Sequence, residues 1–179
     1  MREAKKMKIL IGYYTKTGTT AKCADILRAQ FHNHEVTVAD LAIETVDLCA
    51  YEVVLLGASV RMGRSDKRFR TFLRANEATL SEKKTGYFLC AGAPELVEDI
   101  MNRDLPPALL AKAAAKSAFG GELNVAAQKN IFGKLIVRAM RSSIKSKELD
   151  DDLCYSDEQG FPEILPDSIA RFADEIKRI

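Results

Sequence analysis

A short segment rich in hydroxyl groups, residues 15–20, has the composition of a phosphate-binding loop. Its members are Thr15, Lys16, Thr17, Gly18, Thr19 and Thr20. The loop follows an apolar run of strand length at residues 7–14 and precedes a helical pattern with Ala24 and Leu27 on one face. Backbone N–H groups at a helix N-terminus bind anions, and threonine hydroxyls add donors. The sequence therefore predicts a phosphate site here, and the alternative is an ordinary strand–helix turn with a threonine cap.

Six residue types around this loop carry a resemblance to a known family. They are Tyr13, Thr15, Gly18, Thr20, Ala24 and Leu27. Their spacing resembles the flavodoxin signature, which implies FMN as the cofactor, with its terminal phosphate wrapped by residues 15–20. Gly12 stands where that signature has a bulky apolar residue. We therefore expect thinner packing beneath the loop.

Two further loops of small residues follow the third and fourth predicted strands. The residues that we expect to contact the flavin ring are Ala58, Ser59, Val60, Arg61, Met62 and Gly63 in the first loop, and Cys90, Ala91, Gly92 and Ala93 in the second. Small side chains let the backbone approach a flat ligand closely. Neither loop has the aromatic residue that flavodoxins often stack on the ring. Met62 is the candidate substitute, since its thioether is polarizable, and the alternative is a methionine that fills a core gap.

The segment after the third strand also resembles a narrower group. The similarity covers Gly57-Ala58-Ser59-Val60-Arg61-x-Gly63 with Phe69 and Phe72, resumes at Phe132–Met140 and Tyr155-Ser156-Asp157, and returns at Ile169–Ala173. These residues resemble menaquinone-dependent protoporphyrinogen oxidases, which are flavodoxin-fold enzymes of haem biosynthesis. The resemblance implies dehydrogenation of a protoporphyrinogen-type substrate with a quinone as acceptor. Arg61 is the candidate catalytic, substrate-facing residue, while the aromatic and histidine residues expected at 62–66 are replaced by Met62, Arg64, Ser65 and Asp66.

Two basic stretches suggest what approaches the site. Between Arg61 and Arg74 there are six cations and one acid, Asp66. We call these six cations the cationic rim. A cationic rim beside the site favours a small anionic substrate, and the alternative is that the cations form a solvated helix face. A basic helical insertion at about 124–160 contains an amphipathic helix at 131–145, which is able to lie on an anionic membrane surface. The alternative is a helix packed on the domain with its cations in water.

Apolar runs alternate with helical stretches along the chain, which is typical of a parallel α/β sheet. The predicted strands are 8–14, 35–40, 52–57, 85–91 and 117–123, and the predicted helices are 19–31, 66–78, 106–116 and one that begins at Pro166. We expect a single domain over 1–179. Its fold is a flavodoxin-like doubly wound five-stranded parallel sheet of order 2-1-3-4-5 with helices on both faces, and the ligand crevice lies at the carboxyl ends of the strands.

The charge, hydropathy and Cys and His content of the chain exclude several classes of function. The formal net charge is +2 over 179 residues, and no apolar run reaches the roughly 20 residues that span a bilayer. The four cysteines are scattered, no histidine has metal-ligand spacing, and no nucleic-acid motif is present. We therefore expect no metal site, no nucleic-acid partner and a cytoplasmic location, with peripheral contact at the inner face of the membrane.

Three function classes remain open. The first is an FMN-dependent oxidoreductase, in which the cofactor supplies the redox chemistry and the protein positions it. The second is a flavodoxin-type electron carrier that docks on redox partner proteins. Such carriers are usually strongly acidic, so a net charge of +2 argues against this class. The third is a flavin-binding sensor or interaction module.

Overall fold

A computed structural model of the chain describes residues 6–122 and 163–178. The strands are β1 Lys8–Tyr14, β2 Glu35–Asp40, β3 Val53–Arg61, β4 Arg64–Ser65, β5 Lys84–Cys90 and β6 Ala115–Ala118. The helices are α1 Thr19–Ala29, α2 Lys67–Ala75, α3 Glu77–Ser81, α4 Val97–Asp104, α5 Pro107–Lys112 and α6 Pro166–Lys177. Short 3-10 turns lie at Leu48–Ala50 and Pro94–Leu96. The predicted insertion at about 124–160, with its helix at 131–145, lies outside the described residues.

The main sheet runs β2-β1-β3-β5-β6, and all of its neighbouring strands are parallel. Once the short β4 is set aside, this is the predicted order 2-1-3-4-5, so the predicted topology is confirmed. Because the strands are parallel, their carboxyl ends meet at one edge, where the loops after β1, β3 and β5 lie side by side.

The sheet has six strands rather than the five that were predicted. The additional strand is β4, which pairs antiparallel with the end of β3. Met62 and Gly63 make the two-residue turn between them, with φ of 50° and 70°. Positive φ at both positions is the type I′ geometry of tight hairpins, which usually have Asn-Gly there. The sequence Met-Gly gives no such signal, so the hairpin was not predicted.

Alternating side chains of the central strands build a core on each face of the sheet. On one face, Leu10, Leu56 and Leu89 pack with buried residues of α2 to α5, such as Leu73 and Leu109. The opposite face packs against α1 and α6. Burial on both faces explains why β3 and β5 read as continuous apolar runs in the sequence.

A cluster of aromatic side chains packs α6 against this second face of the sheet. The rings of Phe88 and Phe119 stack with their centroids 4.5 Å apart, and Phe172 of α6 meets Phe119 edge-on at 5.3 Å. Aromatic pairs in these geometries contribute beyond their buried area. The predicted inward face of the last helix is thereby confirmed, since Ile169, Phe172, Ala173 and Ile176 are all buried.

Several predicted boundaries were wrong. The helix expected over 66–78 ends at Ala75, because the side chain of Asn76 donates to the Phe72 carbonyl at 2.9 Å, and α3 then begins. The last strand lies at Ala115–Ala118 rather than 117–123, since Gly120 turns at a φ of 73°. Helix α4 was not predicted, because Gly92 and Pro94 just before it suggested a loop.

The described helices include none that is long and apolar enough to cross a bilayer.

Candidate functional site

The loop between β1 and α1 forms a tight turn at the carboxyl edge of the sheet. The backbone N–H of Gly18 donates to Thr15 Oγ1 at 3.0 Å, and Gly18 has a φ of 90°. Glycine adopts this left-handed conformation at little cost, so the turn reverses within four residues. Helix α1 begins at the next residue, Thr19, and no side chain caps its N-terminus. The first N–H groups of the helix are therefore available to an anion.

Two threonine hydroxyls at this helix start are buried without a hydrogen-bond partner. They belong to Thr19 and to Thr20, which is completely buried. The hydroxyl of Ser59, near the end of the neighbouring β3, is in the same condition. A buried polar group left unpaired costs about 1–3 kcal/mol, so such groups mark places where a partner is expected. A phosphate at the loop would supply acceptors for the two threonines.

The packing beneath the loop is close, contrary to the expectation from Gly12. A Cβ added to Gly12 would lie 2.7 Å from Leu41 Cδ1 and 2.9 Å from Leu56 Cδ2. Both leucine side chains fill the space that a bulkier residue at position 12 would occupy. The prediction of thinner packing was therefore wrong, because the neighbouring strand and loop compensate for the missing side chain.

The segment after the third strand is more regular than the predicted loop. Strand β3 continues to Arg61, so residues 58–61 are paired strand residues and only Met62 and Gly63 turn. Ala58 is buried in the core, whereas Ser59, Val60 and Arg61 are half-buried. Met62 is 79% exposed at the tip. This exposure excludes the alternative of a methionine that fills a core gap.

The loop after β5 exposes only part of the predicted set. Cys90 and Ala91 are buried, whereas Gly92 is exposed and Ala93 is half-buried. The neighbouring Cys23 thiol, together with burial, raises the pKa of the Cys90 thiol well above its usual range. Cys90 therefore stays protonated and supports the loop from below. A Cβ on Gly121 would lie 2.9 Å from the Ala91 carbonyl carbon, so the backbone after β6 packs directly on this loop.

A buried carboxylate, Asp104 at the end of α4, holds the β3–β4 hairpin. Its Oδ2 accepts both the backbone N–H and the hydroxyl of Ser65, each at 2.9 Å. Its Oδ1 accepts from Arg103 Nε at 3.0 Å and lies 3.5 Å from Arg64 Nη2. Burial alone would raise the pKa of Asp104, but the hydrogen bonds from Arg103 and Ser65 outweigh it and lower the pKa to about 2. The carboxylate is therefore ionised at neutral pH.

The charge of the cationic rim is partly neutralised by Asp66, which lies within it. Asp66 caps α2 by accepting the Arg68 backbone N–H at 2.9 Å, and its side chain also pairs with the Arg68 guanidinium at 3.0 Å. Burial opposes ionisation of Asp66, yet these bonds lower its pKa. The same guanidinium lies over the Tyr14 ring, 5.5 Å from its centroid. Of the cations predicted between Arg61 and Arg74, Arg68 therefore has protein partners of its own, Asp66 and the Tyr14 ring.

Three large apolar side chains are exposed among the described residues, and all follow strands of the parallel sheet. Ile43 follows β2, Met62 follows β3 and Leu96 follows β5. They therefore share the carboxyl edge with the loop of residues 15–20. Exposed apolar residues together at a polar edge are typical of a binding surface.

Sequence reasoning missed Arg103, Asp104 and Gly121. Asp104 and Ser65 are 39 residues apart in the chain, and nothing in either local sequence indicates their contact. Within residues 6–122 and 163–178, no group of three or more His, Cys, Asp and Glu side chains is arranged to hold a metal ion. Cys23, Cys49 and Cys90 are free thiols, as predicted.

A doubly wound parallel sheet in this order, with a threonine-rich turn at its carboxyl edge, defines the flavodoxin-like class of α/β proteins. Residues 10–151 match the family model described as flavodoxin domain, and the chain belongs to this family. No curated protein sequence shows significant similarity to it.

Several solved structures are similar to this chain. A Fusobacterium nucleatum flavodoxin bound to flavin mononucleotide is 13% identical, with 96% of this chain and 98% of that chain covered and a TM-score of 0.50. A Lactobacillus acidophilus flavoprotein in complex with FMN is 14% identical over 63% and 93%, with a TM-score of 0.47. A flavodoxin from the domain Archaea is 16% identical over 79% and 98%, with a TM-score of 0.45. At these identities the likeness concerns the fold.

Proposed function

We propose that this protein binds FMN at the carboxyl edge of its sheet and uses it as an oxidoreductase. The observation that carries the proposal is the pair of buried, unpartnered hydroxyls of Thr19 and Thr20 at an uncapped helix start. The F. nucleatum flavodoxin, which has the same fold, is bound to flavin mononucleotide, and this supports the choice of ligand.

The chain's own residues would hold the cofactor by two kinds of contact. Residues 15–20 would bind the phosphate through backbone N–H groups and hydroxyls, with the positive end of the α1 dipole aiding them. Met62 at the hairpin tip and Gly92 and Ala93 after β5 would border the ring. The bound flavin supplies hydride or electron transfer, while the protein sets its position and its potential.

The substrate that we propose is a reduced, carboxylate-bearing and partly apolar molecule of the protoporphyrinogen type, with a quinone as acceptor. Exposed Met62 and the cations of the β3–β4 hairpin, Arg61 and Arg64, lie together at the carboxyl edge, which suits such a molecule. The particular substrate and acceptor rest on the resemblance of residues 57–63 to menaquinone-dependent protoporphyrinogen oxidases. Arg61, half-buried at the end of β3, is the proposed substrate-facing residue.

Cytoplasmic location, with peripheral membrane contact through the basic helix at 131–145, is also part of the proposal. A lipid-soluble quinone is reached from the membrane surface, and a basic amphipathic helix binds an anionic surface. This helix lies outside the described residues, so the proposal rests on its sequence pattern alone.

A second candidate is an electron carrier that docks on redox proteins. The 79% exposure of Met62 favours it, since an apolar tip beside the flavin is suited to a protein contact. The surplus of cations along the hairpin argues for the small anionic substrate instead.

Anaerobic spectroscopy separates the two candidates. The FMN-loaded protein is mixed with protoporphyrinogen under anaerobic conditions, and the flavin absorbance near 450 nm, about where oxidised flavins absorb, is followed. Bleaching, followed by recovery on adding a menaquinone analogue, supports the enzyme. Retained absorbance with protoporphyrinogen, combined with electron transfer to redox proteins only, supports the carrier. Absence of FMN binding by the purified protein refutes both.

A further inference from the structure

Three guanidinium groups converge on one carboxylate beside the β3–β4 hairpin. Arg64 Nη2 and Arg103 Nε both contact Asp104 Oδ1, at 3.5 and 3.0 Å, and Arg70 Nη1 lies 3.6 Å from Oδ2. Arginine remains protonated in proteins, and Asp104 is ionised, so three positive charges face one negative charge. The cluster therefore has an excess of positive charge.

The three arginines differ in what they present to solvent. The Arg70 side chain is only 18% exposed and donates to the Ser65 carbonyl, so it belongs to the interior of the hairpin. The side chains of Arg64 and Arg103 are 61% and 49% exposed. Since both contact the same oxygen atom, these two guanidiniums are neighbours, and each has further N–H donors directed away from Asp104.

The position of the Arg103 guanidinium is fixed before a ligand arrives. Arg103 donates from Nε to Asp104 and from Nη2 to the carbonyl of Gly63, the second residue of the hairpin turn. A guanidinium held at two points loses little freedom on binding, and preorganisation of this kind improves affinity. Beyond Arg103, an open cleft of about 520 Å³ is lined by Arg103, Asn102 and Pro106 among others. The cleft gives a ligand access to Arg103, and Arg64 is reached from solvent through its own 61% exposed side chain.

We propose that Arg64 and Arg103 form a subsite for a carboxylate group of the substrate, with Asp104 as the residue that positions them. The subsite names the recognition element of the oxidoreductase proposed above and rests on that function. It adjoins the Met62–Gly63 turn, so a molecule whose apolar body contacts Met62 places a carboxylate within reach of both guanidiniums. Arginine suits this task because its planar fork binds carboxylates with two parallel hydrogen bonds.

The test compares two forms of one ligand on the FMN-loaded full chain. Protoporphyrin IX has two carboxylates, whereas its dimethyl ester has the same ring and none, and binding of both is followed by quenching of porphyrin fluorescence. The variants are Arg64→Gln and Arg103→Gln. Arg28→Gln is the matched control, since it removes the same charge from an exposed position at the opposite end of the sheet.

We expect the acid to bind the wild-type protein more tightly than the ester. Each of the two variants should weaken acid binding about tenfold, or about 1.4 kcal/mol, leave ester binding unchanged and reduce the dependence on salt. The control should behave as the wild type. Arg64→Gln is the decisive variant, because Arg64 makes the longer contact with Asp104 and its loss leaves the Arg103 and Ser65 bonds in place.

Each other outcome has a separate meaning. Equal binding of acid and ester, or an Arg64→Gln variant that binds the acid like the control, overturns the subsite and leaves the proposed function intact. Failure of the wild type to bind either porphyrin while it binds FMN overturns both the subsite and the tetrapyrrole substrate. Failure to bind FMN, measured first by flavin fluorescence, overturns the proposed function itself.

Discussion

Replacing Gly18 in the β1–α1 turn gives the sharpest test of the phosphate-binding loop. Gly18 has a φ of 90°, and a Cβ added there meets no atom within 4 Å. A side chain therefore has space, and its cost is conformational. Asp and Asn tolerate the left-handed region better than other residues and have nearly the same shape. The pair Gly18→Asp and Gly18→Asn thus introduces the same strain and differs by one negative charge.

The charge should decide FMN affinity. Two unit charges separated by about 4–6 Å at an effective dielectric of about 20 repel by roughly 3–4 kcal/mol. After screening by salt, we expect Gly18→Asp to bind FMN about a hundredfold more weakly than Gly18→Asn, or about 3 kcal/mol. The Asn variant should stay within about tenfold of the wild type, because the left-handed strain costs only about 1–2 kcal/mol.

The assay is titration of the apoprotein with FMN, followed by quenching of flavin fluorescence at low and high salt. Riboflavin, which lacks the phosphate, is the ligand control and should bind both variants equally. The difference between Asp and Asn should shrink at high salt. If the two variants bind FMN with equal affinity, the phosphate does not lie at this turn and the assignment of residues 15–20 is wrong.

Three further predictions concern stability. The pKa of Asp104 is lowered to about 2, so its hydrogen bonds stabilise the protein above about pH 4 and are lost as the pH falls toward 2. Asp104→Asn should lower the free energy of unfolding at pH 7 by about 2 kcal/mol and remove this pH dependence. Urea titrations at several pH values test this, and a variant whose free energy of unfolding keeps the wild-type dependence on pH contradicts the argument. Thr19→Val should leave the apoprotein as stable or make it more stable, since the Thr19 hydroxyl lacks a partner, and it should weaken FMN binding. A lower melting temperature of the apoprotein would count against this view. Gly57→Ala places a Cβ 2.0 Å from the buried Phe88 ring and should lower the free energy of unfolding by about 1–3 kcal/mol. Gly63→Ala should lower it less, because only the positive φ opposes that change. Equal urea midpoints for the two variants would refute the packing argument.

Local sequence was sufficient to predict a strand or helix wherever the burial of its faces leaves a pattern of apolar residues in the chain. The first two strands were predicted with the bounds that the structure has, Lys8–Tyr14 and Glu35–Asp40, because an apolar run and an alternating pattern each indicate a strand. The start of α6 at Pro166 was predicted from proline, which is favoured in the first turn of a helix. The loop before Thr19 followed from its composition, whereas the order of the strands was implied by the resemblance to flavodoxins and is confirmed by the structure.

The local structure of the segment expected to contact the flavin ring, residues 58–63, was not predicted from the sequence. Residues 58–61 were expected in a loop, yet they extend β3. Ala58 and Ser59 pair with β5, and β4 folds back to pair with Val60 and Arg61. The turn that allows this places Met62 at a φ of 50°, which a non-glycine residue rarely adopts. Only contacts from outside the hairpin stabilise such a conformation, and local propensities do not report them.

The sequence by itself indicated the first strands, the hydroxyl-rich turn before α1 and the cations between Arg61 and Arg74, because each depends on residues that are neighbours in the chain. Tertiary structure alone decided which cations remain available and how the hairpin is held. Asp104 meets Ser65 across 39 residues, and Leu41 and Leu56 close the space at Gly12. The physical reason is that burial and charge pairing depend on distance in space, which only the packed sheet and helices define.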